Sequence, residues 1–89
     1  MRQQTLLNHI TGIIAGFDFS VPLHHYLKNH FRQNKQLGSR DRKIISSGCY
    51  DYYRYALLLP NRSVEEQLAL SFSITNEKNL LSDYLSEKY

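Results

Sequence analysis

Apolar residues in this chain return at steps of three and four, and no alternating run is sustained along it. That is the helical period, so amphipathic helices are the way to gather these side chains on common faces. The first stripe is Leu6, Leu7, Ile10, Ile13, Ile14 and Phe17, with Gly16 and the following Asp-Phe-Ser marking its end. Ser20 is expected to cap a second helix, with Pro22 in its first turn, where a missing amide donor costs nothing. Leu23, Tyr26, Leu27, His30 and Phe31 make its inward face, while Lys28 and Arg32 stand four apart on another. Gly38 is expected to close that helix in a left-handed cap, and Ser39 to open the next as its N-cap.

The third helix carries Ile44, Ile45, Cys49, Tyr52, Tyr53, Ala56 and Leu57 at helical steps, and should run to Leu58, where Leu-Pro-Asn stops it. Ser63 followed by Glu66 is a capping box for a fourth helix, whose core residues are Leu68, Phe72 and Leu70. Thr75 or Asn76 can cap a fifth, with Leu80, Leu81, Tyr84 and Leu85 as its stripe. The expected fold is all-α: a compact bundle of about five helices, one domain over residues 1–89.

A chain of 89 residues sits near the low end for a stable core and has little room for both a cofactor fold and a substrate platform. An apolar fraction of 42% with only two prolines argues against disorder. A single cysteine excludes an internal disulfide framework and fits a reducing cytoplasm. No apolar run approaches the roughly 20 residues that a bilayer span needs, so no membrane is expected as a partner. With no sign of secretion, the sequon Asn61-Arg62-Ser63 means little.

Charge is unevenly spread. Residues 1–62 hold nine Lys and Arg against three acids, a net of +6, while residues 63–89 hold two against five, a net of −3. One electropositive end suits contact with a polyanion.

Cys49 is the obvious nucleophile candidate, yet its position argues against that role. It lies well past the start of its helix and in register with Ile45 and Tyr53, where a thiol packs undissociated. The four histidines, His9, His24, His25 and His30, lack the three- and four-residue steps that set metal ligands side by side, so no metal is expected. The glycines form no phosphate-cradling loop, and Glu65 with Glu66 is explained by the first turn of a helix. Asp51 is placed to pair with Arg54 one turn on. No catalytic residue is assigned.

The basic set says more. Lys28, Arg32 and Lys35 end the second helix, and Arg40, Arg42 and Lys43 open the third across a short turn, with Asp41 among them. Three cations in a first turn oppose the sign that the helix dipole prefers, and a phosphate group would relieve the mismatch. These six residues are the candidate nucleic-acid contacts. Tyr50, Tyr52, Tyr53 and Tyr55 wrap most of the same helix; Tyr52 and Tyr53 belong with the core, and Tyr50 and Tyr55 look elsewhere, towards bases or towards another protein surface.

Gly38-Ser39-Arg40-Asp41-Arg42, then Ile45, Tyr50-Asp51 and Arg54, resemble the helix near the N-terminus of bacterial RNA 5-cytosine methyltransferases of the Sun/Fmu type. The preceding Pro22–Gln36 stretch resembles the helix that leads into it, and the likeness spans about Leu6 to Leu58. The resemblance implies a NusB-like helical module that helps to hold ribosomal RNA. A separate C-terminal domain of the same polypeptide would bind S-adenosylmethionine and supply the cysteines that attack cytosine. It makes Arg40, Arg42 and Arg54 the basic positions of the motif and Asp41 its paired acid, with Asp41 and Arg54 more structural than RNA-contacting. This chain has no S-adenosylmethionine loop and no proline-cysteine signature, and Cys49 matches neither catalytic cysteine. The expectation is therefore a targeting domain from a longer chain, without cofactor or methyl transfer of its own. A helical protein–protein or interdomain packing module, built on Tyr50, Tyr55 and the fifth helix, is the alternative.

Overall fold

The computed structural model describes residues 2–89, save the side chains of Arg2 and Leu57. Leu57, assigned above to the core stripe, thus lies outside the described side chains. Five helices follow one another: α1 (Arg2–Gly16), α2 (Leu23–Gln33), α3 (Ser39–Tyr55), α4 (Val64–Thr75) and α5 (Leu80–Lys88). A 3-10 turn at Ala56–Leu58 ends the run of α3, so the third helix stops three residues short of its expected end. No strand occurs among the described residues, and the all-α bundle of five helices is what the chain forms.

One apolar core joins Leu6, Leu7, Ile10 and Ile13 of α1 to Ile44, Ile45 and Cys49 of α3, Leu68 and Phe72 of α4, and Leu81 and Leu85 of α5. α2 adds Leu27, and the turn behind it adds Leu37. α3 is the shared wall: α1 and α4 both pack along it. They meet it at Gly48. A Cβ built there would lie 2.7 Å from Ile10 Cδ1 and 3.6 Å from Leu68 Cδ1, so Ile10 already occupies that space and Leu68 borders it. Helices approach this closely only where one of them presents bare backbone.

Polar clamps fix the elements that the core leaves loose. Gln67 of α4 is buried and donates through Nε2 to the carbonyls of Ala56 (3.2 Å) and Leu59 (2.7 Å), which closes the loop after α3. The Tyr84 hydroxyl donates to Gln4 Oε1 at 2.9 Å, tying α5 to α1 across 80 positions of sequence. Ser63 caps α4 as expected, its Oγ accepting the Glu66 amide at 3.2 Å.

Other caps differ from expectation, each for a local reason. Pro22, not Ser20, precedes the first residue of α2; the Ser20 amide instead donates to Asp18 Oδ1 at 3.0 Å in a turn of its own. Thr75 and Asn76 end α4 and do not begin α5. Thr75 Oγ1 lies within bonding distance of the carbonyls of Ser71 and Phe72, and Asn76 takes the left-handed conformation at φ 58°. The Glu77 amide then reaches back to the Phe72 carbonyl at 3.0 Å, the 6→1 bond of a Schellman closure. α5 is capped by Asn79, whose Oδ1 accepts the amides of Leu81 and Ser82, each at 2.8 Å. Ser82 Oγ completes the box by accepting the Asn79 amide at 2.8 Å. Of the fifth stripe, Leu81 and Leu85 are fully buried and Tyr84 half-buried, while Leu80 at the helix start is exposed.

Asp51 also departs from expectation. It is 8% exposed, and its contact is with α4, where Thr75 Oγ1 stands 3.4 Å from Oδ2, rather than an ion pair with Arg54. Burial first, and the Glu77 charge second, push its carboxyl above the ordinary 3.8, against smaller opposing pulls from Thr75 and Arg54. A raised folded value means that the full contribution to stability is present below the unfolded value and is lost as pH rises through the folded one. Asp51→Asn, which can still accept from Thr75, should therefore raise Tm at pH 7. The gain should vanish at pH values below 3.8, read by thermal melts across pH.

Gly48→Val tests the helix crossing. Overpacking at a filled contact costs about 1–3 kcal/mol, so its urea midpoint should fall with an unchanged m-value. Gly48→Ala should lose less, because Ala recovers about 1 kcal/mol of helix propensity.

Candidate nucleic-acid interface

The turn between α2 and α3 holds its shape through one apolar peg and several hydrogen bonds. Leu37 is buried in the core. Its amide donates to the Asn34 carbonyl at 3.1 Å, and Asn34 Nδ2 donates to the His30 carbonyl at 2.7 Å, so the end of α2 is capped by Asn34. Gly38 is not left-handed: φ −78° and ψ 175° are extended values, and it serves as the N-cap of α3. Ser39 is the first residue of α3 and makes no side-chain cap. Arg42 instead braces the turn as a donor from inside the helix. Its amide donates to the Gly38 carbonyl at 3.0 Å, and its Nε donates to the Leu37 carbonyl at 3.0 Å.

Arg42 is thus partly committed to the fold, while its neighbours point outward. Lys28, Arg32, Lys35, Arg40 and Lys43 are all exposed, and none forms an ion pair with another described residue. Arg40 and Lys43 line one side of a cleft of about 390 Å³, and Glu77, Lys78, Asn79 and Leu80 line the other. Lys78 was invisible as a site residue from sequence, because only the packing of the α4–α5 turn against α3 brings it there. Lys28, Arg32 and Lys35 do not line this cleft. They lie on the outer face of α2 and on the turn behind it.

The remaining motif residues separate by role. Asp41 is half-buried in the first turn of α3, where a carboxylate suits the helix dipole. Arg54 is exposed in the last turn, its guanidinium carbon 6.0 Å from the Tyr55 ring centre. Tyr50 is 41% exposed, whereas Tyr52 and Tyr53 are half-buried as expected. Arg40, Lys43, Ser47, Tyr50 and Arg54 fall at steps of three and four, so one face of α3 carries three cations and a tyrosine over about 21 Å.

Cys49 is fully buried, and burial pushes its thiol up to about 12. It stays protonated at neutral pH and supplies no nucleophile. Burial first, then its neighbours Cys49, Tyr52 and Tyr26, push the Tyr53 hydroxyl up to about 12. Among the described residues, no three His, Cys, Asp or Glu side chains come together as a metal-binding group. No described helix is long and apolar enough to cross a membrane.

A contact between two histidines went unseen in the sequence, where only near neighbours can be compared. His9 of α1 and His30 of α2 meet with Nδ1 and Nε2 2.9 Å apart and rings at 86°. One ring must donate and the other accept, so the bond needs at least one neutral imidazole. Burial, then the charge of His9, hold His30 below the ordinary 6.5. A lowered folded value means that stability is full above the unfolded value and is lost as pH falls through the folded one. Tm should therefore drop as the pH falls from 7 to 5, and His30→Gln should flatten that part of the profile in thermal melts.

No protein family, curated protein or solved structure is matched by this chain.

Proposed function

We propose that this chain is an RNA-binding, substrate-positioning module that docks phosphate groups on the N-terminal end of α3. The observation that carries the reading is the cleft lined by Arg40 and Lys43 on one side and Lys78 on the other, three exposed cations with a single acid, Glu77, beside Lys78. Arg42 supports it from below. By bonding the Leu37 carbonyl, it holds the turn and its neighbours in place before any ligand arrives. Guanidinium and ammonium groups held at a cleft suit a phosphodiester backbone, and Lys28, Arg32 and Lys35 widen the positive field around it.

The likeness of the Gly38–Arg54 segment to the Sun/Fmu type extends this proposal. In that reading the fold is NusB-like, the RNA is ribosomal and the compartment is the cytoplasm. The module delivers its RNA to an S-adenosylmethionine-dependent cytosine-5 methyltransferase domain on the C-terminal side of the same polypeptide. Methyl transfer belongs to that domain, and these 89 residues position its substrate without catalysing.

The test is the double variant Arg40→Glu/Lys43→Glu, with Arg42 kept so that the turn stays braced. Affinity for a structured ribosomal RNA fragment should fall at least tenfold by fluorescence anisotropy. The log–log dependence on salt should flatten by roughly 0.7–0.9 for each phosphate the variant no longer neutralises. Equal affinity and slope in a variant of unchanged helicity would overturn the proposal.

A further inference from the structure

A second concave surface adjoins the cationic face of α3. Phe17, Phe19, Val21, Pro22, Tyr50 and Tyr53 line an open groove of about 580 Å³ between the α1–α2 turn and the middle of α3. Its most unusual member is Phe19. This residue adopts φ 66°, a left-handed conformation that a bulky side chain rarely takes, and it remains 71% exposed. The turn that imposes the conformation is held by the Ser20 amide on Asp18 Oδ1. Its result is to stand the Phe19 ring 4.7 Å from Phe17 and 5.5 Å from Tyr53, edge-on to the latter. An exposed phenylalanine held in a costly backbone conformation suggests a surface shaped for a ligand.

We infer that this groove is a stacking subsite for an unpaired base of single-stranded RNA. The inference rests on the proposed RNA-binding role. Charge selects this occupant over an apolar partner segment, because Tyr50 of the groove lies on the same face of α3 as Arg40 and Lys43, the proposed phosphate contacts, and as the exposed Arg54. Tyr50 shares its face of α3 with Lys43, two turns before it, and with Arg54, one turn after it. A strand that follows this face has a cation on either side of the aromatic surface, which is the arrangement that neutralises the two phosphates flanking a stacked base. The rim adds hydroxyl groups from Tyr50 and Ser20, able to donate to or accept from a base edge. A paired base keeps both of its faces inside the duplex stack, so the groove discriminates single strands and looped-out nucleotides from helices.

The test uses the whole chain with a short adenosine oligonucleotide, a blunt RNA duplex of equal length, and the variants Tyr50→Ala, Phe19→Gly and Tyr50→Trp. Phe19→Gly removes the ring at a position where glycine is at ease, so folding is retained. Tyr50→Ala and Phe19→Gly should weaken single-strand binding by about five- to a hundred-fold, with an unchanged salt slope and unchanged duplex affinity. Tyr50→Trp puts the sole tryptophan of the chain into the groove. Its emission should be quenched by the single strand and not by the duplex. Unaltered single-strand affinity in both ring-removing variants, with Arg40→Glu/Lys43→Glu still weakening it, would overturn the base subsite and leave the RNA proposal standing. Absence of binding by the native chain would overturn both. Loss of self-association in the ring-removing variants, with RNA affinity intact, would also overturn it and make the groove a protein interface.

Discussion

Gly48 has no side chain, and the space it leaves is where α1 and α4 reach α3 together. Ile10 and Leu68 converge on that point, and both are sealed from water. Every other feature depends on the resulting alignment. Because α3 is gripped from two sides, its outward face is held at a fixed orientation, and the residues along that face hold fixed positions relative to one another. α2 is held in a different way, with His30 against His9 of α1 and Tyr26 against Phe17 just beyond that helix. α2 contributes Leu27 from its middle to the core, and Leu37 plugs the turn that follows, so a helix with a mostly polar surface is anchored at its centre and behind its C-terminal end.

The stripes of α1, α3 and α4 were legible because burial follows the helical period wherever a helix has neighbours along its length. α5 was only partly so. Leu80 shares the apolar step pattern, but it lies at the mouth of a cleft, and the same sequence spacing serves an exposed position there. Caps were legible where the signal is local and reciprocal, as with Ser63 and Glu66. They were misread where two chemistries compete: Thr75 and Asn76 look like a beginning, yet their bonds run backwards and make an end. Asn79 was missed because a serine, not a glutamate, answers it from the third position of the helix. The one-turn spacing of Asp51 and Arg54 points to a surface pair, although the same position also sets Asp51 against α4.

The candidate site shows the same division. The cations at 40, 42 and 43 are close together in sequence, yet structure gives them different work, since Arg42 braces the turn and its neighbours face outward. Lys78 and the His9–His30 pair belong to contacts between distant segments, which no local spacing announces. The aromatic groove was half visible. Tyr50 stood out as a tyrosine off the core stripe, but the Phe19 conformation that completes the surface depends on a turn whose handedness the sequence does not reveal.

Cys49, set aside as a nucleophile, has a different use by virtue of its seal. It is the sole thiol of the chain, it has no exposed surface, and it stands one residue after Gly48. An alkylating reagent can meet it only when α1 or α4 has lifted away from α3. The rate of alkylation is then a clock for opening of the bundle at its narrowest crossing. Ligand held along α3 should slow that clock in proportion to how firmly it keeps the three helices together.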